Sequence, residues 1–376
     1  MSIAHIETFV VEQRLEKPFS FSQWEYDRRS VCLVKVTAHD GTYGWGEGYG
    51  PAGVVQAGIQ FLAPLLIGQD PLHEATLWQA MHRRAFDYAR RGVLVAALSA
   101  IDIALWDLKG KLLGQPVSVL LGGRRRDQVT VYATGMYFSA GPGLARRLAD
   151  EAEGYASQGF TAMKMKVGLG LEADSDNVQA VRQAIGPGVA LMVDANHAYA
   201  RSEALALARR IEQHNIGWFE EPLSPEDYKG YKELRLRTDI PIAAGECEYL
   251  CAGFRQLVAG QCVDIAQPDI CAAGGLTEAR RIVALAQTFG VNVTPHCWGT
   301  GIAFAAALHL ASTLDMLPGR LLANEPLLEM DRTENPLRDR LTIPRFEVVR
   351  GKVSVPEEPG LGVDVDNVLL DKFRLG

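Results

Sequence analysis

The chain is poor in the features that would set it apart from an ordinary globular protein. Its 376 residues hold six cysteines and no Cys-x-x-Cys pair, so neither a disulfide framework nor a thiolate metal cluster is legible. Apolar stretches are broken by charge or glycine before 18 residues, and no membrane span is predicted. The opening MSIAHIETFVVEQRLEKPF has neither a basic start nor a long apolar run. No signal peptide is read, and a soluble, cytosolic protein with reduced thiols is expected. Lysine and arginine form no run long enough to track a phosphate backbone, and the formal charge is −7. Nucleic acid is therefore an unexpected partner. With 48% hydrophobic and 22% charged residues, the composition is neither disordered nor fibrous.

The length implies two domains, or one large barrel with an addition. Residues 31–37 form a β-branched run, and Asp40-Gly41 is a hairpin signal leading into 42–46. Segments 19–29 and 48–53 read as loops. From about 71 to 113 the pattern turns helical: Leu94, Leu98, Ile101, Leu105, Leu108 and Leu112 recur at three- and four-residue spacing, and Gly114 stops the run. An α+β domain over 1–125 follows.

Beyond residue 126 short β-branched runs alternate with helical patterns. The runs are 129–134, 161–166, 190–194, 216–220, 241–245, 263–267 and 291–295, with a weaker eighth at 320–324; they begin 22 to 32 residues apart. Eight strand–helix units fit a closed (β/α)8-type barrel over 126–325. The rival is an open doubly wound sheet, but no Gly-x-Gly-x-x-Gly follows the first strand. The tail, 326–376, returns to short strands (346–349, 353–355) and is expected to complete the first domain.

In such barrels chemistry sits at the C-terminal ends of the strands, and here the ends are ionisable. Strand two ends Lys164-Met165-Lys166, strand three in Asp194, strand four in Glu220 and strand five at Glu246. Asp269, His296 and Glu325 follow strands six, seven and eight. Carboxylates on three neighbouring strands repel unless a cation lies among them, and an all-oxygen set suits Mg²⁺ better than zinc. Lys164 and Lys166 are two apart, so both point into the barrel while Met163, Met165 and Val167 face the helices. Two adjacent ammoniums would depress each other's proton affinity, freeing one amine as a base. Asp269 is placed to fix the tautomer of His296. Strands two and six are diametrically opposed, so the metal lies between a lysine wall and a His–Asp wall. The implied reaction is proton abstraction α to a carboxylate, the metal steadying the developing charge. A protonated Glu325 would hydrogen-bond to the same charge.

These residues resemble the mandelate racemase subgroup of the enolase superfamily, whose use of Lys or His bases with Mg²⁺ is a standard example of tuned acid–base sites. The likeness runs over the whole chain: Ser99-Ala-Ile-Asp-Ile-Ala-Leu-Trp-Asp107 and Leu120-Leu-Gly-Gly123 in the first domain, then Lys164-Met-Lys166, Asp194-Ala-Asn196, Glu220-Glu-Pro222, Gly245-Glu246, Gln267-Pro-Asp269, Pro295-His296 and Asn324-Glu-Pro326. The resemblance implies Lys166 as base tuned by Lys164, Asp194, Glu220 and Glu246 as Mg²⁺ ligands, the Asp269–His296 dyad, Glu325 as final acid and Asn196 toward substrate. It also implies a symmetric homo-oligomer, octamer or dimer.

Within the subgroup, Tyr132-Ala-Thr-Gly135, Pro295-His-Cys-Trp-Gly-Thr-Gly301 and Met330-Asp-Arg-Thr-Glu-Asn-Pro336 resemble galactarolactone cycloisomerases and acid-sugar dehydratases. That implies a sugar acid or lactone substrate and β-elimination to a 2-keto-3-deoxy acid, with racemase or epimerase chemistry as the alternative. Segments 19–29 and 48–53 would close the barrel mouth, with Arg28 or Arg29 pairing a distal substrate carboxylate. Two other classes are weighed. A Schiff-base aldolase would use Lys166 without a metal, and a binding protein would need a lost base or ligand.

Overall fold

A computed structural model describes residues 1–316 and 325–375. The chain opens with an antiparallel meander, β1 (Ile3–Phe21), β2 (Trp24–Ala38) and β3 (Tyr43–Gly48). Segment 19–29 is therefore a hairpin, not a loop. Phe19 pairs with Tyr26 and Phe21 with Trp24, and Tyr26 stacks on Phe19 and Phe21. Cross-strand aromatic pairs of this kind hold extended backbone where composition alone reads as loop.

Helices α1 (Ala52–Leu62), α2 (Glu74–Ala85) and α3 (Val93–Leu113) pack on the meander, and a single turn, α4 (Val117–Leu120), leads to the barrel. Helix α3 is buried nearly all round because it lies between the meander and the barrel. Gly46 lets it approach: a Cβ there would sit 2.0 Å from the Ala100 carbonyl oxygen. On its other side, Ser99 Oγ accepts from Gly274 N–H at 2.8 Å, and Asp102 accepts from Thr277 N–H at 2.9 Å and Thr277 Oγ1 at 2.6 Å. Asp107 takes Trp45 N–H at 2.8 Å and Leu361 N–H at 2.7 Å. The Ser99–Asp107 motif is thus a polar seam joining cap, barrel and tail.

The barrel strands are β4 (Gln128–Thr134), β5 (Ala162–Lys166), β6 (Ala190–Asp194), β7 (Ile216–Glu220), β8 (Ile242–Ala244), β9 (Ile265–Ala266), β10 (Asn292–Val293) and β11 (Leu327–Asp331). They lie in the order β10-β9-β8-β7-β6-β5-β4-β11, every neighbouring pair parallel. Between β10 and β11, Cys297 N–H donates to Glu329 Oε2 at 3.1 Å. Helices α5 (Leu144–Ser157), α6 (Leu171–Ile185), α7 (Arg201–Ile211), α8 (Tyr228–Arg235), α9 (Leu250–Ala259), α10 (Gly275–Thr288) and α11 (Gly301–Thr313) cover the outside. Inside, Tyr132, Met192, Trp218, Ala243 and Ile265 form a packed layer, as inward side chains from successive strands must in an eight-stranded barrel.

The expected eighth strand at 320–324 lies outside the described residues. The eighth strand of the structure is β11, so the barrel extends past 325 and the tail begins after it. Alternation explains the register: Leu328 and Met330 join the core shared with the helices, leaving Leu327, Glu329 and Asp331 to point inward. Lys352–Ser354 then pairs antiparallel with β4, and Asp364 accepts from Tyr43 and Trp45 of the cap at 2.7 and 2.8 Å.

His309 on α11 has no exposed surface. Its Nε2 faces Leu361 O at 3.1 Å, and its Nδ1 accepts from Ser118 N–H at 3.2 Å. Burial pushes its pKa down to about 4, whereas an unfolded histidine titrates near 6.5. The folded pKa is the lower, so this stabilisation is complete above pH 6.5 and is lost as pH falls toward 4, about 3 kcal/mol in all. Urea unfolding between pH 7 and pH 4.5 should show His309→Gln losing less stability than wild type over that interval.

Candidate active site

The three acids meet. Asp194 ends β6 and Glu220 ends β7 in direct register, and Glu246 follows β8; their ligating oxygens lie within 4.8 Å of one another. Ala195 N–H donates to Glu220 O at 3.0 Å and His197 N–H to Glu221 O at 2.8 Å. The chain here adopts left-handed φ at Asn196 (40°), His197 (68°) and Glu221 (41°). Such strain is tolerated where the surroundings over-determine it, commonly at sites of chemistry.

Lys164 and Lys166 point into the barrel and are 1% and 4% exposed; Met163, Met165 and Val167 pack in the core. Lys166 Nζ donates to Asp194 Oδ2 at 2.5 Å and Asn196 Oδ1 at 2.8 Å. Lys164 pairs with Glu220 and, at 2.9 Å, with Glu329 Oε1. Burial alone would lower its pKa, but Glu220 and Glu329 outweigh it and raise the value well above the usual lysine range. Asp194 answers in kind: burial would raise its pKa, but the two lysines bring it down to about 2.

His296 stands on the far wall. Its Nδ1 lies 2.6 Å from Asp269 Oδ2, and Asp269 Oδ1 accepts from Cys271 N–H at 2.7 Å. The Nε2 edge faces Glu246 Oε2 at 3.4 Å and Glu329 Oε2 at 3.8 Å. Burial disfavours the imidazolium, yet Glu246, Glu329 and Asp269 prevail and lift the pKa to about 10. Lys166 and His296 thus face one centre from β5 and from the loop after β10, strands separated by β6 to β9 on one side and by β4 and β11 on the other.

Glu325 is not part of this centre. It precedes β11, at the opposite end of the barrel, and bonds to Thr130 Oγ1 at 2.9 Å and Lys352 Nζ at 3.2 Å. The acid that β11 delivers is Glu329, held by Lys164, by Thr134 Oγ1 at 2.6 Å and by Cys297 N–H. The sequence reading missed it because it ended the barrel one segment early; the alternation Leu328-Glu329-Met330 was the available signal.

A cavity of about 1010 Å³ opens above the centre between cap and barrel, its walls including Phe21, Trp24, Tyr26, Tyr49, Asn196 and Trp298. Lys166 Nζ lies over Phe21 at 4.8 Å and Tyr137 at 5.0 Å, so the hairpin tip covers this ammonium directly. Ser20 and Phe138 exchange backbone hydrogen bonds at 2.9 Å, which tethers that tip to the barrel. Arg28 and Arg29 both reach the cavity wall, but their hydrogen bonds are spent elsewhere. Arg28 pairs with Asp27 and Glu12. Arg29 pairs with Asp331 at 2.9 Å and lies 3.9 Å over the Trp298 ring, so it props the wall.

An all-oxygen trio of carboxylates, two of them buried and Glu246 partly so, already drawing two ammoniums toward it, fits a hard dication. When bound, such an ion would neutralise a substrate carboxylate and stabilise the charge that develops as the α-proton leaves. Around that position Lys164 pairs with Glu329 and Asn196 accepts from Lys166, beneath the aromatic side chains of the cavity wall.

Residues 5–122 match the mandelate racemase / muconate lactonizing enzyme N-terminal domain, and residues 147–369 the enolase C-terminal domain-like family. The chain belongs to the mandelate racemase / muconate lactonizing enzyme family. It is an enzyme of the enolase superfamily. Among this family, it is 41% identical over 375 residues to a D-galactarolactone cycloisomerase of Agrobacterium fabrum, covering 100% of this chain and 99% of that one. It is 53% identical, with a TM-score of 0.92 and full coverage of both chains, to a 3,6-anhydro-D-galactonate cycloisomerase structure from Zobellia galactanivorans. A family structure of an L-talarate/galactarate dehydratase liganded with Mg and L-glucarate is 28% identical at TM-score 0.88, covering 100% of this chain and 92% of that one.

Proposed function

We propose that this family member is a Mg²⁺-dependent cycloisomerase of cyclic sugar acids. It would remove the proton α to a carboxylate and expel a ring oxygen from the β-carbon, giving a 2-keto-3-deoxy acid. The observation that carries this reading is the pair of proton-transfer groups, Lys166 and His296, on opposed walls of one three-carboxylate centre.

The leaving group is chosen by the relatives' chemistry. In a 3,6-anhydro-galactonate, O3 bridges to C6, so the oxygen on the β-carbon belongs to a ring; in a galactarolactone the ring oxygen stands β to the free carboxylate. Both cycloisomerase relatives match this chain over its whole length. As the α-C–H bond breaks, its proton passes to Lys166 or His296, its electrons form the C=C bond, and the β-C–O bond breaks. In the anhydro acid a proton from the opposite wall goes to the departing alkoxide; in the lactone the ring oxygen departs as a carboxylate and the abstracted proton leaves to solvent; in both the enol tautomerises to the ketone without loss of water. The apolar lid of Phe21, Tyr26 and Trp298 suits a compact ring better than an extended polyol.

The test is a panel of 3,6-anhydro-aldonates, aldarolactones and open-chain aldonates and aldarates, with Mg²⁺ in D₂O, followed by NMR. The expected result is turnover of a cyclic substrate to an isomeric 2-keto-3-deoxy acid. Dehydration of open-chain acids only would replace cycloisomerase by dehydratase. The two-wall arrangement equally favours 1,1-proton transfer, and recovery of an epimerised hydroxy acid would mark a racemase.

A further inference from the structure

Beside the three-carboxylate centre, one residue further along two of the same strand ends, lies a second convergence. We propose that His197 Nε2, Glu221 Oε2 and Cys247 Sγ form a separate cation site that takes a borderline-soft divalent ion of the Zn²⁺ class. It does not depend on which sugar acid the enzyme turns over.

The three ligating atoms lie within 4.8 Å of one another, with Cys247 Sγ 3.5 Å and Glu221 Oε2 3.1 Å from His197 Nε2. A tetrahedral zinc with ordinary bond lengths would set sulfur and nitrogen ~3.6 Å apart and nitrogen and oxygen ~3.3 Å apart. The spacing is therefore close to that of a formed site. The protons point the same way. His197 Nδ1 lies 3.2 Å from Leu223 O, a group that can only accept, so Nδ1 carries a hydrogen and, in the neutral ring, Nε2 is the nitrogen left to ligate. This is the arrangement by which a metal-ligating histidine is usually fixed. Opposite that nitrogen stands a carboxylate. Glu221 is 1% exposed, and its Oε2, 3.1 Å from His197 Nε2, accepts no well-aligned hydrogen bond, a costly state for a buried oxygen.

Lone pairs thus converge where one cation would satisfy all three. On binding, the Cys247 thiol proton leaves to solvent, and thiolate plus carboxylate balance the dication with the imidazole neutral. The mixed S, N, O donor set separates this site from its all-oxygen neighbour, which prefers Mg²⁺. His197 and Cys247 both line the cavity, so the ion exchanges through the substrate space.

The probe is Co²⁺ added to full-length, Mg²⁺-saturated enzyme. The expected result is one equivalent bound with a thiolate-to-cobalt charge-transfer band, bleached by stoichiometric Zn²⁺ and absent in Cys247→Ser. His197→Gln should weaken Co²⁺ binding on the order of tenfold or more while the band, when saturated, persists. Wild-type crystals soaked in Zn²⁺ should show an anomalous peak among the three side chains. A wild-type enzyme without the band, a band that survives Cys247→Ser, or a zinc peak only among Asp194, Glu220 and Glu246 would overturn the proposal and leave a hydrogen-bonded cluster. A failed substrate panel with a positive cobalt band would leave this site standing.

Discussion

Lys166→Ala should lower kcat by on the order of 10³–10⁴-fold, the range expected when a positioned proton-transfer group is removed. The fold and the acidic centre should survive. Lys166 Nζ neutralises Asp194 at 2.5 Å, so its loss leaves the three carboxylates more anionic, and Mg²⁺ should bind at least as tightly by calorimetry. His296→Asn should cost a comparable factor by a different route, because the His296–Asp269 pair serves the other wall. In D₂O the two variants should separate: one keeps α-proton exchange without net turnover, and the other loses exchange altogether. Equal exchange in both variants, or full activity in either, would refute proton transfer from opposed sides.

Glu329→Gln should lower kcat by roughly 10²–10³-fold, the scale of a lost electrostatic partner in a preorganised site, whereas Glu325→Gln should stay within about twofold of wild type, as a surface change away from the chemistry does. Glu329 is 1% exposed and contacts Lys164 and Thr134, with His296 Nε2 at 3.8 Å. Glu325 is an exposed residue bonded to Lys352 at the far end of the barrel. Glutamine keeps the shape and removes the charge, so a fall in kcat with KM little changed would place the effect in the transition state. The reverse ranking of the two variants would return the final acid to position 325.

Much of this site is legible in the sequence because barrel strands place successive ionisable ends around one circle. Asp194, Glu220, Glu246, Lys164 and Lys166 follow from strand ends and two-residue periodicity alone. The strand that closes the described barrel, β11, was read as tail because residues 321–323 offer an apolar run of their own just before it. Hairpin 19–29 was misread because its extended form is secured by rings meeting across strands. Arg29 looked available to substrate because its partner, Asp331, is distant in sequence; Arg28 is taken by its neighbour Asp27 and by Glu12 on the facing strand. The His197–Glu221–Cys247 convergence was invisible for a related reason: left-handed turns at Asn196, His197 and Glu221 bring those side chains together, and nothing in residue spacing announces such turns.

The seam along helix α3 and the tether at the hairpin tip differ in kind. The seam is many buried hydrogen bonds to side chains of one helix; the tether is a two-bond backbone bridge between Ser20 and Phe138 backed by rings, Phe19 and Phe21 edge-on to Tyr137. The seam fixes α3 against the barrel, and the cap side chains that stand over the centre are those of the ribbon's end, Phe21 and Tyr26 among them. On the cycloisomerase reading, the size and substituents of an accepted ring would be set by those few side chains, with Phe21, which meets Lys166, the one position where specificity and chemistry adjoin.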